Sequence, residues 1–318
     1  MNNTTLDDLS LITLALQWPN HLCWIIISPF AVLLNVLVLV TILSTKALRN
    51  KSQLLIFSHS VAEILYASTY FGTGLSRYLA HFNKVPATSD QFACILKQFP
   101  LYFMGNVVKI VTMALAFDRL LCIAMPVFYK TRTTSTYIAI TNAVCWGFCL
   151  LTKLPTAFSA YDSTKLFPIC SYASFAQNFA KYSSIEDNTI TAVTVCIYLG
   201  TALLLWHRYK STTFAGEFQK SEWRRQMDFD VFISILVIGS VYIVSSGAAS
   251  ILVAIASKML TVDTIIKLSP IASVFTFSSS CTHFFVYLRL NHKFREGFTK
   301  LLRMDSNAVS SIAVIAHS

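Results

Sequence analysis

The stretch CWIIISPFAVLLNVLVLVTILS, Cys23 to Ser44, carries no charged side chain. As a helix rising about 1.5 Å per residue it is long enough to cross the roughly 30 Å hydrocarbon core of a bilayer. No water is available there to satisfy backbone N–H and C=O groups, so a spanning segment of this kind must be helical. Six more apolar runs follow: Gln53 to Ser76, Cys94 to Cys122, Thr136 to Thr156, Asn188 to Arg208, Phe229 to Ala256 and Thr264 to Arg289. None alternates apolar and polar residues with the period of two that a transmembrane barrel strand needs. The expected fold is an all-α membrane protein, a seven-transmembrane helix bundle. No internal repeat is evident, which weighs against a transporter.

Composition agrees. Hydrophobic residues make up 55% of the 318 and charged residues 13%, with a mean hydropathy of +0.59. A soluble domain needs more charge than this to cover its surface. The net charge of +10 does not indicate a nucleic-acid partner. The Lys and Arg sit in short loops and the C-terminal segment, where they meet the anionic inner leaflet, and no basic groove or nucleic-acid module is visible. Fifteen loop cations, from Lys46, Arg49 and Lys51 to Arg303, fall on one side of the spans, and seven, including Arg77, Lys84 and Lys267, on the other. By the positive-inside rule the richer side is cytoplasmic. Residues 1–22 are then extracellular, on a multi-pass protein of the plasma membrane, and Asn2 and Asn3 begin two overlapping glycosylation sequons in Asn2-Asn3-Thr4-Thr5. That N-terminal segment lacks a basic n-region and carries Asp7 and Asp8, so no cleavable signal peptide is expected.

The seven-span domain occupies residues 23–290. From Asn291 the pattern changes: Phe294, Phe298, Leu301 and Leu302 recur at helical spacing between Lys293, Arg295, Lys300 and Arg303. Residues 291–304 therefore read as a short basic amphipathic helix on the inner leaflet, and 305–318 as a cytoplasmic tail. The eight cysteines include no CxxC metal pair, and most read as small buried hydrophobes. Cys94 and Cys170 differ, since both fall in or beside loops on the outer face. No cofactor or metal is called for, and no nucleophile pair at depth points to an enzyme.

At the inner end of the third run stands Phe117-Asp118-Arg119-Leu120, followed by Cys122-Ile123-Ala124-Met125-Pro126-Val127-Phe128-Tyr129. This segment resembles the DRY motif of rhodopsin-like (class A) G-protein-coupled receptors, with that family's proline seven residues after the arginine. Other landmarks sit at matching offsets: Cys94, 25 residues before Arg119; Asn35; Ala62-Glu63-Ile64; Trp146, with Pro155 nine residues later; and His283-Phe284-Phe285-Val286-Tyr287 before Phe294-Arg295. The fifth run lacks the family's usual proline, the sixth lacks its CWxP element, and the seventh has His-Phe for Asn-Pro. In this drift the chain resembles the nematode serpentine chemoreceptors, and the Asp118-Arg119-Leu120-Leu121-Cys122-Ile123 segment with the Phe-Val-Tyr ending is most similar to the Srsx class. The loss of the span-six proline leaves an outward swing of that span possible.

The resemblance implies a heterotrimeric G protein as partner on the cytoplasmic face and a Cys94–Cys170 disulfide. It implies that Asp118 holds Arg119 at rest, that Arg119 contacts the G protein once released, and that Tyr287 and Tyr198 then pack towards it. Asp228 or Asp230 is either a second restraint on Arg119 or a solvated acid at a helix N-terminus, where acids are favoured. The family carboxylate of span two commonly binds sodium. Here Lys109 lies ten residues, about 15 Å, above Arg119, near the depth of Glu63. Lys109 either replaces the ion, pairing with Glu63 beside Asn35, Ser280 and His283, or faces the lipid or the ligand cavity; a buried lone charge is too costly to stand without a partner.

The expected ligand is an unidentified external molecule bound in the outer third of the bundle. Candidate lining residues are Tyr70, Leu101, Tyr102, Gly105, Asn106, Tyr242 and Phe277, although each taken alone reads first as an ordinary helix-packing residue. Leu101 stands where amine receptors carry an aspartate, and Phe277 where opsins carry the retinal lysine, so neither of those ligands is expected. A chemosensory receptor for small molecules is the leading reading. A neuropeptide receptor of the same fold would favour a more acidic outer face, and a transporter using Glu63, Lys109 and His283 as a relay leaves the receptor spacings unexplained.

Overall fold

In the computed structural model Cys23–Ser44 lies inside one helix, α1 (Leu6–Ser44). The structure describes residues 6–82, 89–158, 166–167, 177–214, 237, 239–242, 244–245, 274–275 and 279–302. The second to fifth runs lie within α2 (Lys51–Phe82), α3 (Gln91–Ala124), α5 (Thr134–Phe158) and α6 (Gln177–Phe214), with a short α4 (Pro126–Thr131) between α3 and α5. Helical residues 239–242 belong to the sixth run, 279–289 to the seventh with 290 continuing its helix, and a last helix covers 292–302.

Among the described residues, His21–Ser44, Thr134–Pro155 and Ile185–His207 are long and apolar enough to cross a membrane by composition alone. α2 and α3 are also long, at 32 and 34 residues, but carry more polar groups, and those groups point inward. His59, Ser60 and Glu63 on α2 and Gln98, Asn106, Thr112 and Asp118 on α3 are all buried. Many large apolar side chains are exposed, among them Ile26 and Phe30 on α1, Leu151 on α5 and Leu203 on α6. A bundle built for water shows the opposite arrangement, so these outward faces are lipid contacts.

α3 packs against α2, α5 and α6 and so runs through the middle of the described bundle. Lipid supplies no hydrophobic drive for helices to associate, so close packing must do it. Gly105 is one such close approach: a Cβ there would lie 2.9 Å from the Tyr66 ring. Pro100 sits inside α3 and Pro155 inside α5. At the outer end a two-residue ribbon pairs Ser89 with Phe167 and Asp90 with Leu166, antiparallel. It fastens the loop after α5 to the start of α3, just before Cys94.

The last helix has the apolar face its spacing predicts. Asn291 Oδ1 caps it by accepting the Phe294 N–H at 3.1 Å. Phe294 is buried against Phe284 and Tyr287, and Phe298 meets the Phe284 ring at 5.4 Å, whereas Leu302 is exposed. Gly297 faces Thr45, so closely that a Cβ would collide with its Oγ1 and crowd its Cβ and Cγ2. Thr45 is β-branched and short, and rotating it exchanges one clash for another. Gly297→Ala is therefore expected to cost about 1–3 kcal/mol, read as a lower melting temperature of the receptor in detergent, and adding Thr45→Ala should recover most of it. An unchanged melting temperature in the single variant would show that the helix is not docked as described.

Candidate functional site

Three polar clusters lie at successive depths along α3. The innermost surrounds Asp118, which is fully buried. Its Oδ1 accepts a hydrogen bond from the Tyr137 hydroxyl of α5 at 3.1 Å. Tyr129 of α4 lies against the same carboxylate; burial, and then the negative Asp118, hold its phenol well above the ordinary value, so it remains a donor. Lys51, the first residue of α2, donates to the Tyr129 carbonyl and lies 4.9 Å over its ring. Span two, span three, span four and the loop helix are thereby tied together under Asp118.

Arg119 lies within electrostatic reach of Tyr129 but forms no ion pair with Asp118 among the described residues. Successive helix residues diverge by about 100°, so i and i+1 do not face each other. Asp118 turns towards α4 and α5, and Arg119 lies within electrostatic reach of Tyr198 on α6 and of Tyr287. The expected Asp118–Arg119 pair is thus not formed, while both tyrosines lie on the Arg119 side. Tyr198 is buried and touches span six, where a Cβ on Gly239 would lie 3.2 Å from its ring. Tyr242 is within electrostatic reach of Tyr198, which moves it out of the expected outer ligand set and into this inner one. Pro126 opens α4 at its first helical position and is exposed, so it shapes the loop helix.

The middle cluster joins spans one, two, three and seven. Asn35 Nδ2 donates to the Ala31 carbonyl at 2.9 Å and to Ser280 Oγ at 3.3 Å, and Ser280 Oγ donates to Glu63 Oε2 at 2.8 Å. His59 Nε2 lies 3.7 Å from Glu63 Oε1 and 3.0 Å from Thr112 Oγ1, and its ring packs edgewise on His283 with centroids 4.9 Å apart. Asn35, Glu63, Ser280 and His283 therefore come together as expected. Lys109 does not join them: its Nζ pairs with Asp187 Oδ2 on α6 at 2.8 Å. The reason is direction, since Lys109 faces span five and Glu63 already takes the Ser280 hydroxyl beside His59.

That pair belongs to the outer cluster. Lys153 of α5, 2% exposed, bonds Glu186 Oε2 at 2.8 Å, and Glu186 Oε1 accepts from Asn106 Nδ2 at 2.8 Å and from Thr152 Oγ1 at 3.1 Å. Gly105 gives room to Tyr66, whose hydroxyl donates to that of Tyr70 at 3.1 Å, and Asp187 is within electrostatic reach of both tyrosines. Tyr70 also stands edgewise on Trp24, with Arg77 5.5 Å over the Trp24 ring. Leu101 is buried, and Tyr102 packs on Ile95 and Ala157.

Glu186, Asp187 and Lys153 were not singled out from the sequence. A signal existed: Lys109 and Lys153 lie within apolar runs and two acids stand at the edge of the fifth, and ionisable groups at that depth need partners. His59, four residues before Glu63, was likewise on the same helix face. Cys94 is buried and disulfide-bonded, and the six other described cysteines are free. Cys170, Asn2, Asn3, Phe277, Asp228 and Asp230 lie outside the described residues.

No curated protein matches the chain. The family model for the serpentine type 7TM GPCR chemoreceptor Srsx matches residues 28–302, which takes in all three clusters. The chain belongs to this Srsx family of serpentine receptors and is a chemosensory G-protein-coupled receptor of the membrane, with a G protein as its partner.

Proposed function

We propose that this receptor binds a small external molecule between α2, α3 and α6 and passes the event to a heterotrimeric G protein through Arg119. The Lys109–Asp187 pair carries the reading. It crosses from α3 to α6 at 2.8 Å with its side chains 28% and 31% exposed, next to Tyr66, Tyr70 and Asn106. A part-exposed ion pair is one that a polar ligand can enter, exchanging partners with either charge, and it joins the two helices whose inner ends carry Arg119 and Tyr198. Glu186, one residue away and tied to Asn106 and Lys153, holds the α6 side of that site in place.

The same proposal places the receptor in the rhodopsin-like class and the plasma membrane. Its N-terminus is outside, Asn2 and Asn3 are glycosylated, and Cys94 is paired with Cys170. The Ser89–Phe167 pairing supports that disulfide, because it holds the chain three residues before Cys170 beside the helix that bears Cys94.

Hydrogen bonds to charged groups contribute about 1.5–3 kcal/mol, so Lys109→Gln and Asp187→Asn should each raise the half-maximal concentration of an active small molecule by roughly ten- to a hundredfold. The assay is G-protein activation at matched surface expression, with small-molecule and neuropeptide pools applied separately. Unchanged potency in both variants removes the ligand from this site, and a response to peptides alone favours the neuropeptide reading.

A further inference from the structure

The geometry points to a transition-metal site in the middle cluster, in which His59, Glu63 and His283 bind a zinc-class divalent ion and clamp span seven to span two. One ligand atom from each of the three lies within 4.8 Å of the others, and all three residues are buried. The set has the composition of a three-ligand zinc site, two imidazoles and a carboxylate, with the fourth position left for water or a neighbouring oxygen. Thr112 Oγ1, 3.0 Å from His59 Nε2, is such an oxygen.

Two further observations on its members point to an ion. The Nδ1 of His283 is buried without a hydrogen-bond partner, which leaves an unused donor atom among ligands. Among the described residues, the buried Glu63 carboxylate has the Ser280 hydroxyl and the His59 imidazole as its neighbours in hydrogen-bond or ion-pair range, because the lysine at its depth is committed to Asp187. A lone proton would neutralise Glu63 and still leave the His283 nitrogen idle; a metal ion uses both. The donor set also decides which ion. Alkali and alkaline-earth cations take oxygen ligands, whereas imidazole nitrogen selects zinc and its transition-metal neighbours.

Placement gives the site a consequence. His59 and Glu63 are one turn apart on α2, and His283 is one turn from Tyr287, whose ring is 6.4 Å away by centroid. An ion there fixes the seventh span against the second immediately above the tyrosine that faces Arg119. Asn35, through Ser280, orients the Glu63 carboxylate and is a positioning residue for the site.

The test uses the full-length receptor purified in lipid-containing detergent micelles, equilibrated with zinc and then freed of loose metal. The wild type should retain about one zinc per chain and melt at a higher temperature with zinc than without it. His59→Asn and His283→Asn should each weaken zinc binding by at least about tenfold while remaining monodisperse. Because these variants can misfold, His283→Cys supplies a second arm. It should keep a metal, shift the preference from zinc towards cadmium, and add a thiolate-to-metal absorption band in the cobalt-loaded form that the wild type lacks. Zinc retained equally by wild type and Asn variants, no zinc on folded wild type, or Glu63-dependent stabilisation by sodium but not by zinc would each overturn the proposal.

Discussion

Replacing Arg119 with alanine is expected to lower ligand-stimulated nucleotide exchange on the G protein by roughly ten- to a hundredfold while leaving the receptor at the cell surface. Arg119 is half-buried, forms no ion pair among the described residues, and sits at the cytoplasmic end of α3 beside Tyr198 and Tyr287. A guanidinium in that position contributes little to holding the bundle together and is poised to meet a partner with several donors at once. Losing charge-assisted hydrogen bonds worth about 1.5–3 kcal/mol in the signalling complex lowers exchange by roughly ten- to a hundredfold. The neighbouring residue behaves differently. Asp118 anchors α4 and α5 through Tyr129 and Tyr137, so its loss should appear first as reduced folded receptor. Exchange that survives in Arg119→Ala at matched expression would rule out the mechanism proposed for this end of the molecule.

The second large effect concerns Lys153. Its side chain is 2% exposed and ends on Glu186, which Asn106 and Thr152 also hold. Lys153→Met leaves the part-buried Glu186 carboxylate, 22% exposed, without its cation; breaking a fully buried pair costs about 3–5 kcal/mol, and the smaller loss here is still a sizeable share of the roughly 5–15 kcal/mol by which folded domains exceed unfolded ones. Little receptor should reach the surface, and what does should melt several degrees lower. Adding Glu186→Gln removes the stranded charge while keeping an oxygen for Asn106 and Thr152, so the double variant should be more stable than Lys153→Met alone. A double-mutant cycle on melting temperature checks this, and simple additivity of the two changes would mean that the pair carries no coupling.

The inner cluster and the middle one differ in how far they could be read in advance. Asp118, Arg119, Tyr198 and Tyr287 stand at offsets in the chain that a resemblance can match, and both tyrosines lie within electrostatic reach of the arginine. Asp118 and Arg119 part company in the structure, where adjacent helix residues point about 100° apart and the Asp118 carboxylate is taken by the Tyr137 hydroxyl of α5. Asn35, Glu63, Ser280 and His283 were expected together and are together. Lys109 was read as either pairing with Glu63 or facing the lipid or the ligand cavity; it pairs with Asp187 on α6 instead of Glu63.

The sequence by itself determined that this chain is a bundle of membrane-crossing helices. Apolarity along a contiguous run is a local property, and lipid leaves such a run no structure other than a helix. It also determined the amphipathic helix after the seventh span, because the spacing of Phe294 and Phe298 fixes one face within a few turns. Only the tertiary structure decided which polar side chains meet. Lys109 finding Asp187, Lys153 finding Glu186 and Glu63 finding Ser280 and His59 each depend on the rotation and depth of two helices about their own axes. Those quantities are set by packing between neighbours far apart in the chain, and no one-dimensional pattern carries them.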